Sequence, residues 1–142
     1  MSNPVPPGLS IAELTAEAAE LMRSAALSTS RSSHPGLVHP SDAAETAAAL
    51  AGLTARLPDL LDVLAGFLSS EQAAGRIGPG PGEDPGAGAG YDALRAARDA
   101  REQLYEAGRT AALLAESLAS AAVVLAPLGS AHPVGRPAEP HV

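Results

Sequence analysis

Along most of this 142-residue chain, apolar residues recur at steps of three and four, and three separate stretches carry the pattern. That spacing gathers them on one face of an α-helix, whereas a half-buried strand would alternate at every second residue, which no part of the chain does. The first stretch places Ile11, Leu14, Ala18, Leu21, Met22 and Ala25 on one stripe, with Glu13, Glu17, Glu20 and Arg23 on the polar side. Its start is signalled twice. Ser10 can cap while Glu13 reaches back, and Leu9 and Leu14 stand in staple positions. The spacing predicts a helix over 10–28.

The second stretch runs Ala43, Thr46, Leu50, Leu53, Leu57, Leu60, Leu64, Phe67, widened by Leu61 and Leu68. More than three heptads in phase are the mark of a helix lying along a partner helix. Asp42 followed by Glu45 predicts a capping box at the start, and Gly75 a C-terminal stop. Pro58 removes one backbone hydrogen bond, but the phase passes through it, which predicts one kinked helix over 42–74.

The third stretch, predicted helical over 91–126, sets Ala93, Ala97, Ala100, Leu104, Ala107, Ala111, Leu114, Leu118, Ala121 and Leu125 in line before Pro127. Small residues let two backbones approach closely, so this stripe predicts antiparallel packing against the second helix. Its polar face pairs Arg95 with Asp99, Arg98 with Glu102 and Glu106 with Arg109. Segments 29–41 and 75–90 read as linkers, and 1–9 and 127–142 as a disordered arm and tail. The expected fold is all-α: a long antiparallel, coiled-coil-like helical hairpin with the shorter N-terminal helix packed on it.

Composition alters this picture in two respects. Phe67, Tyr91 and Tyr105 are the only aromatic residues, so the core must be built from alanine and branched aliphatics. A buried leucine returns about 1.5–3 kcal/mol and an alanine much less, against roughly 1–2 kcal/mol per residue of backbone entropy. Such a thin core predicts further burial in a homo-oligomer. The net charge of −7, with nine basic residues that are all Arg, argues against non-specific attraction to nucleic acid or anionic membranes. The absence of Cys removes disulfides, thiolate metal sites and Cys nucleophiles. "MSNPVPPGLS" has neither the basic nor the apolar region of a secretory signal. The most apolar run, 118–129, is a dozen residues where a membrane span needs about 20. A soluble, cytoplasmic protein is expected.

Candidate chemistry is sparse. "GRIGPGPGEDPGAGAG", residues 75–90, is rich in glycine, yet Gly86, Gly88 and Gly90 give G-x-G-x-G rather than a dinucleotide fingerprint. It lacks the lysine of a P-loop, follows a helix instead of a strand, and carries Glu83 and Asp84, which would repel phosphate. It reads as a flexible connector. His34, His39, His132 and His141 stand in linker and tail, not on the rigid frame that zinc needs. The carboxylates Glu13, Glu17, Glu20, Asp59 and Asp62 face solvent, without the burial or close partner that tunes a catalytic acid. Arg95, Arg98, Arg101 and Arg109 form the best basic cluster, interleaved with Asp99, Glu102 and Glu106 and short of aromatics for base stacking. "STSRSS", 28–33, could accept phosphoryl groups.

"DAAETAAALAGLTARLPDLLDVLAGFLSSEQAAGRI" and "YDALRAARDAREQLYEAGRTAALLAESLASAAVVLAPL" resemble small, uncharacterised Ala/Arg-rich helical proteins of high-GC actinobacteria. Some of those look like accessory products of plasmids and integrative elements. The resemblance spans roughly 41–128, rests on composition and phasing, and implies no site residues. Helical-hairpin substrates of type VII secretion carry W-x-G at the turn and Y-x-x-x-D/E. Here there is no Trp, and Arg95 and Arg109 follow the two tyrosines.

No catalytic, cofactor or metal residue is therefore predicted. The expected function is non-catalytic association with itself or another helical protein. The seam assigned to it is Leu50, Leu53, Leu57, Leu60, Leu64 and Phe67 with Leu104, Leu114, Leu118 and Leu125. The alternative is a DNA-associated accessory factor using the Arg-bearing face of the third helix.

Overall fold

A computed structural model of the chain describes residues 8, 10–30, 37–80, 86 and 88–128. The arm and tail expected to be disordered fall outside these residues, apart from Gly8, Pro127 and Leu128. The described chain is all-helical: α1 (Ile11–Ser30), α2 (Pro40–Ala73) and α3 (Ala89–Leu125).

Each terminus follows from local chemistry. Ser10 and Glu13 form the expected reciprocal cap of α1, the Ser10 N–H donating to Glu13 Oε2 at 2.7 Å and the Glu13 N–H to Ser10 Oγ at 3.2 Å. The partner staple residue, Leu9, lies outside the described residues. α2 starts two residues earlier than its sequence signal suggested. Pro40 occupies the first turn, where a missing N–H costs nothing, and His39 is the N-cap. Asp42 therefore sits at the third helical position, not the cap, and accepts from the Val38 and His39 N–H groups at 2.7 and 2.8 Å.

α2 passes through Pro58 as one continuous helix of 34 residues. It stops at Gly75, whose φ of +68° is the left-handed conformation that favours glycine. The closing turn has both bonds of a Schellman motif: Arg76 N–H to Glu71 C=O at 2.9 Å and Gly75 N–H to Gln72 C=O at 3.1 Å. Helical hydroxyls fold back on the preceding turn. Thr54 Oγ1, for example, donates to the Leu50 carbonyl at 2.7 Å.

α2 and α3 pack against each other along their length. Gly108 stands against Pro58 and Arg101 reaches Gln72, so the helices run in opposite directions. On α2, positions 47, 51, 54, 58, 61, 65, 68 and 72 are buried or half-buried, and on α3 so are 97, 101, 104, 108, 111, 115, 118, 122 and 125. Both series alternate steps of four and three. The seam between them is made mostly of small residues: the buried set is Ala47, Thr54, Ala65, Ala97, Ala111 and Ala115, and no large side chain is fully buried.

Two expectations are corrected here. The leucine stripe of α2 lies one residue away from the positions that face α3. Two apolar series run along this helix, and close approach selects the one richer in small residues, in which Leu61 and Leu68 are the only leucines. On α3, Leu104, Leu118 and Leu125 face the seam, whereas Leu114 is exposed and Arg101, Gly108, Ala115 and Ala122 take the places expected for Ala100, Ala107, Leu114 and Ala121. Secondly, α1 makes no contact with the hairpin. Ile11, Leu21, Met22 and Leu27 are accordingly exposed.

Candidate interaction surface

With α3 on the small-residue side of α2, the large residues are left on a flank. One residue of helix is about 100° of rotation, so the leucine stripe stands to one side of the seam, not behind it. Leu50, Leu57 and Leu60 are half-buried there, Leu53 and Leu64 are exposed, and Phe67 is 60% exposed. The neighbouring flank of α3 carries Ala100, Ala107, Leu114 and Ala121 at seven-residue intervals, all exposed, with Leu114 at 48%. In an antiparallel pair the two flanks with this offset fall on the same face. That face is apolar on α2 from Leu50 to Phe67, is interleaved on α3 with Gln103, Thr110 and Ser117, and ends at Glu71 beside the connector.

The opposite face is polar. A groove of about 790 Å³ follows the contact of Pro58 with Gly108 and is lined by Asp62, Glu102, Tyr105, Glu106 and Arg109. A second hollow near the connector, of about 520 Å³, is bordered by Gln72, Tyr91, Arg95, Arg98 and Asp99. Both are open, and the carboxylates that border them, Asp62, Asp99, Glu102 and Glu106, are exposed. Among the described residues, no group of three His, Asp or Glu side chains is placed to hold a metal ion. His39 caps α2, and the other three histidines lie outside the described residues.

The ion pairs lie on exposed surfaces. Arg76 grips Glu71 with two hydrogen bonds, Nε to Oε2 at 2.8 Å and Nη2 to Oε1 at 2.6 Å, which hold the Glu71 carboxyl below its ordinary range. Arg23 likewise binds Glu20, and Arg109 binds Glu106. Arg95 and Arg98 form no ion pair with Asp99 or Glu102, contrary to the i,i+4 expectation. The basic cluster is also smaller than its spacing implied. Arg101 lies in the seam, where Nη1 donates to Gln72 Oε1 at 3.0 Å and Nε is buried with no partner.

That seam arginine was not identifiable from spacing alone, because Arg at 101 sits between two apolar heptad places and reads equally well as solvated. The apolar run at 118–129 is likewise part of something longer. Among the described residues α3 is the one helix long and apolar enough to cross a membrane by length and composition, with a window mean hydropathy of 1.3. No protein-family model matches the chain, and searches of curated proteins and of solved structures find no match.

Proposed function

We propose that this chain is a non-catalytic helical association module, and that the apolar face formed by the α2 leucine stripe and the α3 flank is its working surface. One observation carries the reading. The larger apolar residues of α2, in register over Leu50 to Phe67, stay in contact with water while alanines fill the interior. Contiguous exposed apolar surface of this kind marks interaction sites. The α2–α3 pair itself we read as a coiled-coil-like hairpin, and a seven-residue repeat on its outside is matched best by another helix of the same period.

Arg101 and Arg109 are both engaged within the chain, which leaves the DNA-associated alternative two arginines short of the face it needs. A tagged Leu57→Glu/Leu64→Glu variant tests the proposal. Retained helicity with loss of every helical partner bound by the unmodified chain is expected. Unchanged binding in the folded variant would sink the reading.

A further inference from the structure

We infer that the occupant of this face is a second copy of the same chain, which closes the two hairpins into an antiparallel four-helix arrangement. The inference rests on the association reading above and adds the partner's identity. Three observations point to self-pairing.

The first is what one chain buries alone. Among the described residues the buried set is five alanines and one threonine, while the seam leucines Leu61, Leu68, Leu104, Leu118 and Leu125 are only half-buried. Methyl-sized groups return little each, so a helical pair over 30 residues long on each side leaves much of its larger apolar surface unburied. Burying the leucine flank supplies the missing interior, and a second copy is always present at the concentration of the first.

The second is charge. The chain carries −7, so two copies repel unless their carboxylates stay clear of the contact. They do. Asp59, Asp62, Glu102 and Glu116 belong to the other side of the hairpin, no charge interrupts the α2 stripe between Leu50 and Phe67, and Glu71 at its end is paired with Arg76. An acidic or basic partner would find nothing on it to recognise. A surface identical to its own would set leucines of one copy against leucines of the other without opposing charges, as a two-fold contact allows.

The third is extent. From Leu50 to Phe67 the stripe is about 26 Å long, and two packed helices are roughly 18–20 Å across. The flat footprint is roughly 500 Å². Side-chain relief brings it towards the ~800 Å² per partner of a specific interface.

The experiment is light scattering on the purified chain across a dilution series, with four variants. The unmodified chain is expected at twice its 14.1 kDa mass, and Leu57→Glu/Leu64→Glu at the monomer mass. Because loss of the dimer could also unfold the hairpin, a milder pair of variants uses the absence of native cysteine. Leu57→Cys should be captured as a dimer by a short bis-maleimide, and Asp62→Cys, on the polar face, should not.

A helical monomer at all concentrations overturns the inference. So does a dimer that survives Leu57→Glu/Leu64→Glu, or one lost instead on deletion of residues 1–30, which would place the contact on α1. A monomer that still binds a different helical protein through Leu57 and Leu64 removes the second copy but leaves the association reading. A monomer that binds nothing removes both.

Discussion

Gly108 lies directly against Pro58 across the α2–α3 seam: a Cβ added at Gly108 would sit 3.8 Å from the Pro58 Cα. The two residues least suited to helix interiors thus face each other. Proline removes a hydrogen bond from α2, and glycine on α3 allows the backbones to meet there.

The 3.8 Å spacing is ordinary van der Waals contact, so Gly108→Ala meets no obstacle. It removes the entropic penalty of a mid-helix glycine. Urea unfolding should show a gain of about 0.5–1 kcal/mol. Gly108→Leu should do the reverse by wedging the helices apart. A destabilised alanine variant would contradict this, because it would mean that the seam has no room for a methyl group at 108.

Pro58→Ala restores an N–H that can donate to the Thr54 carbonyl. Interior proline costs a helix about 3 kcal/mol, and α2 has partly adapted to it, so a gain of about 1–3 kcal/mol is expected. Thermal melting by circular dichroism measures it. An unchanged midpoint would mean that the proline contacts across the seam are worth as much as the lost bond.

Arg101 and Gln72 should be coupled. Gln72→Ala takes the acceptor from a half-buried guanidinium and should cost about 1 kcal/mol. In an Arg101→Met background the same change should cost close to nothing. Additive effects in this double-mutant cycle would mean that the contact contributes no stability.

Gly75→Ala tests the end of α2. No atom obstructs a Cβ there, so only the left-handed backbone opposes it. The cost should be about 1 kcal/mol in urea unfolding, with amide exchange faster over the last turn of α2 than at its centre.

Acid should loosen the start of α2. The His39 N–H, and next the Val38 N–H, hold the Asp42 carboxyl below its ordinary range. A carboxyl depressed on folding contributes stability that is fully present above its unfolded-state value and is lost as pH falls through the folded one. Helicity at the α2 N-terminus should therefore fall below the usual carboxylate range, and Asp42→Asn should flatten that limb. An Asp42 titration at or above the ordinary value, followed by NMR, would contradict this.

How far the sequence foretells this structure depends on what kind of signal each feature gives. The Ser10–Glu13 cap, the Gly75 stop and the continuity of α2 through Pro58 are local, set by a few neighbouring residues, and all three are legible. The Pro40 start is a near miss, because Asp42 has the chemistry of both a cap and a third helical position. The seam is misread for a different reason. Periodicity shows that α2 has apolar stripes but not which one α3 takes, and size draws the eye to Leu57 and Leu64. Close packing instead chooses Ala47, Ala51 and Ala65. That α1 stands apart from the hairpin is not legible either, because an amphipathic stripe shows a face to bury but not whether anything covers it.

The one-residue offset between the two stripes of α2 makes this helix sensitive to reading frame in space. A single residue inserted after Pro58 would turn everything beyond it by about 100°. Leu60 and Leu64 would move towards α3, and Ala65 and Leu68 would swing out of the seam. Inserting seven residues would restore the alignment. Chain length between the ends of α2 is thus as constrained as the identity of any side chain on it.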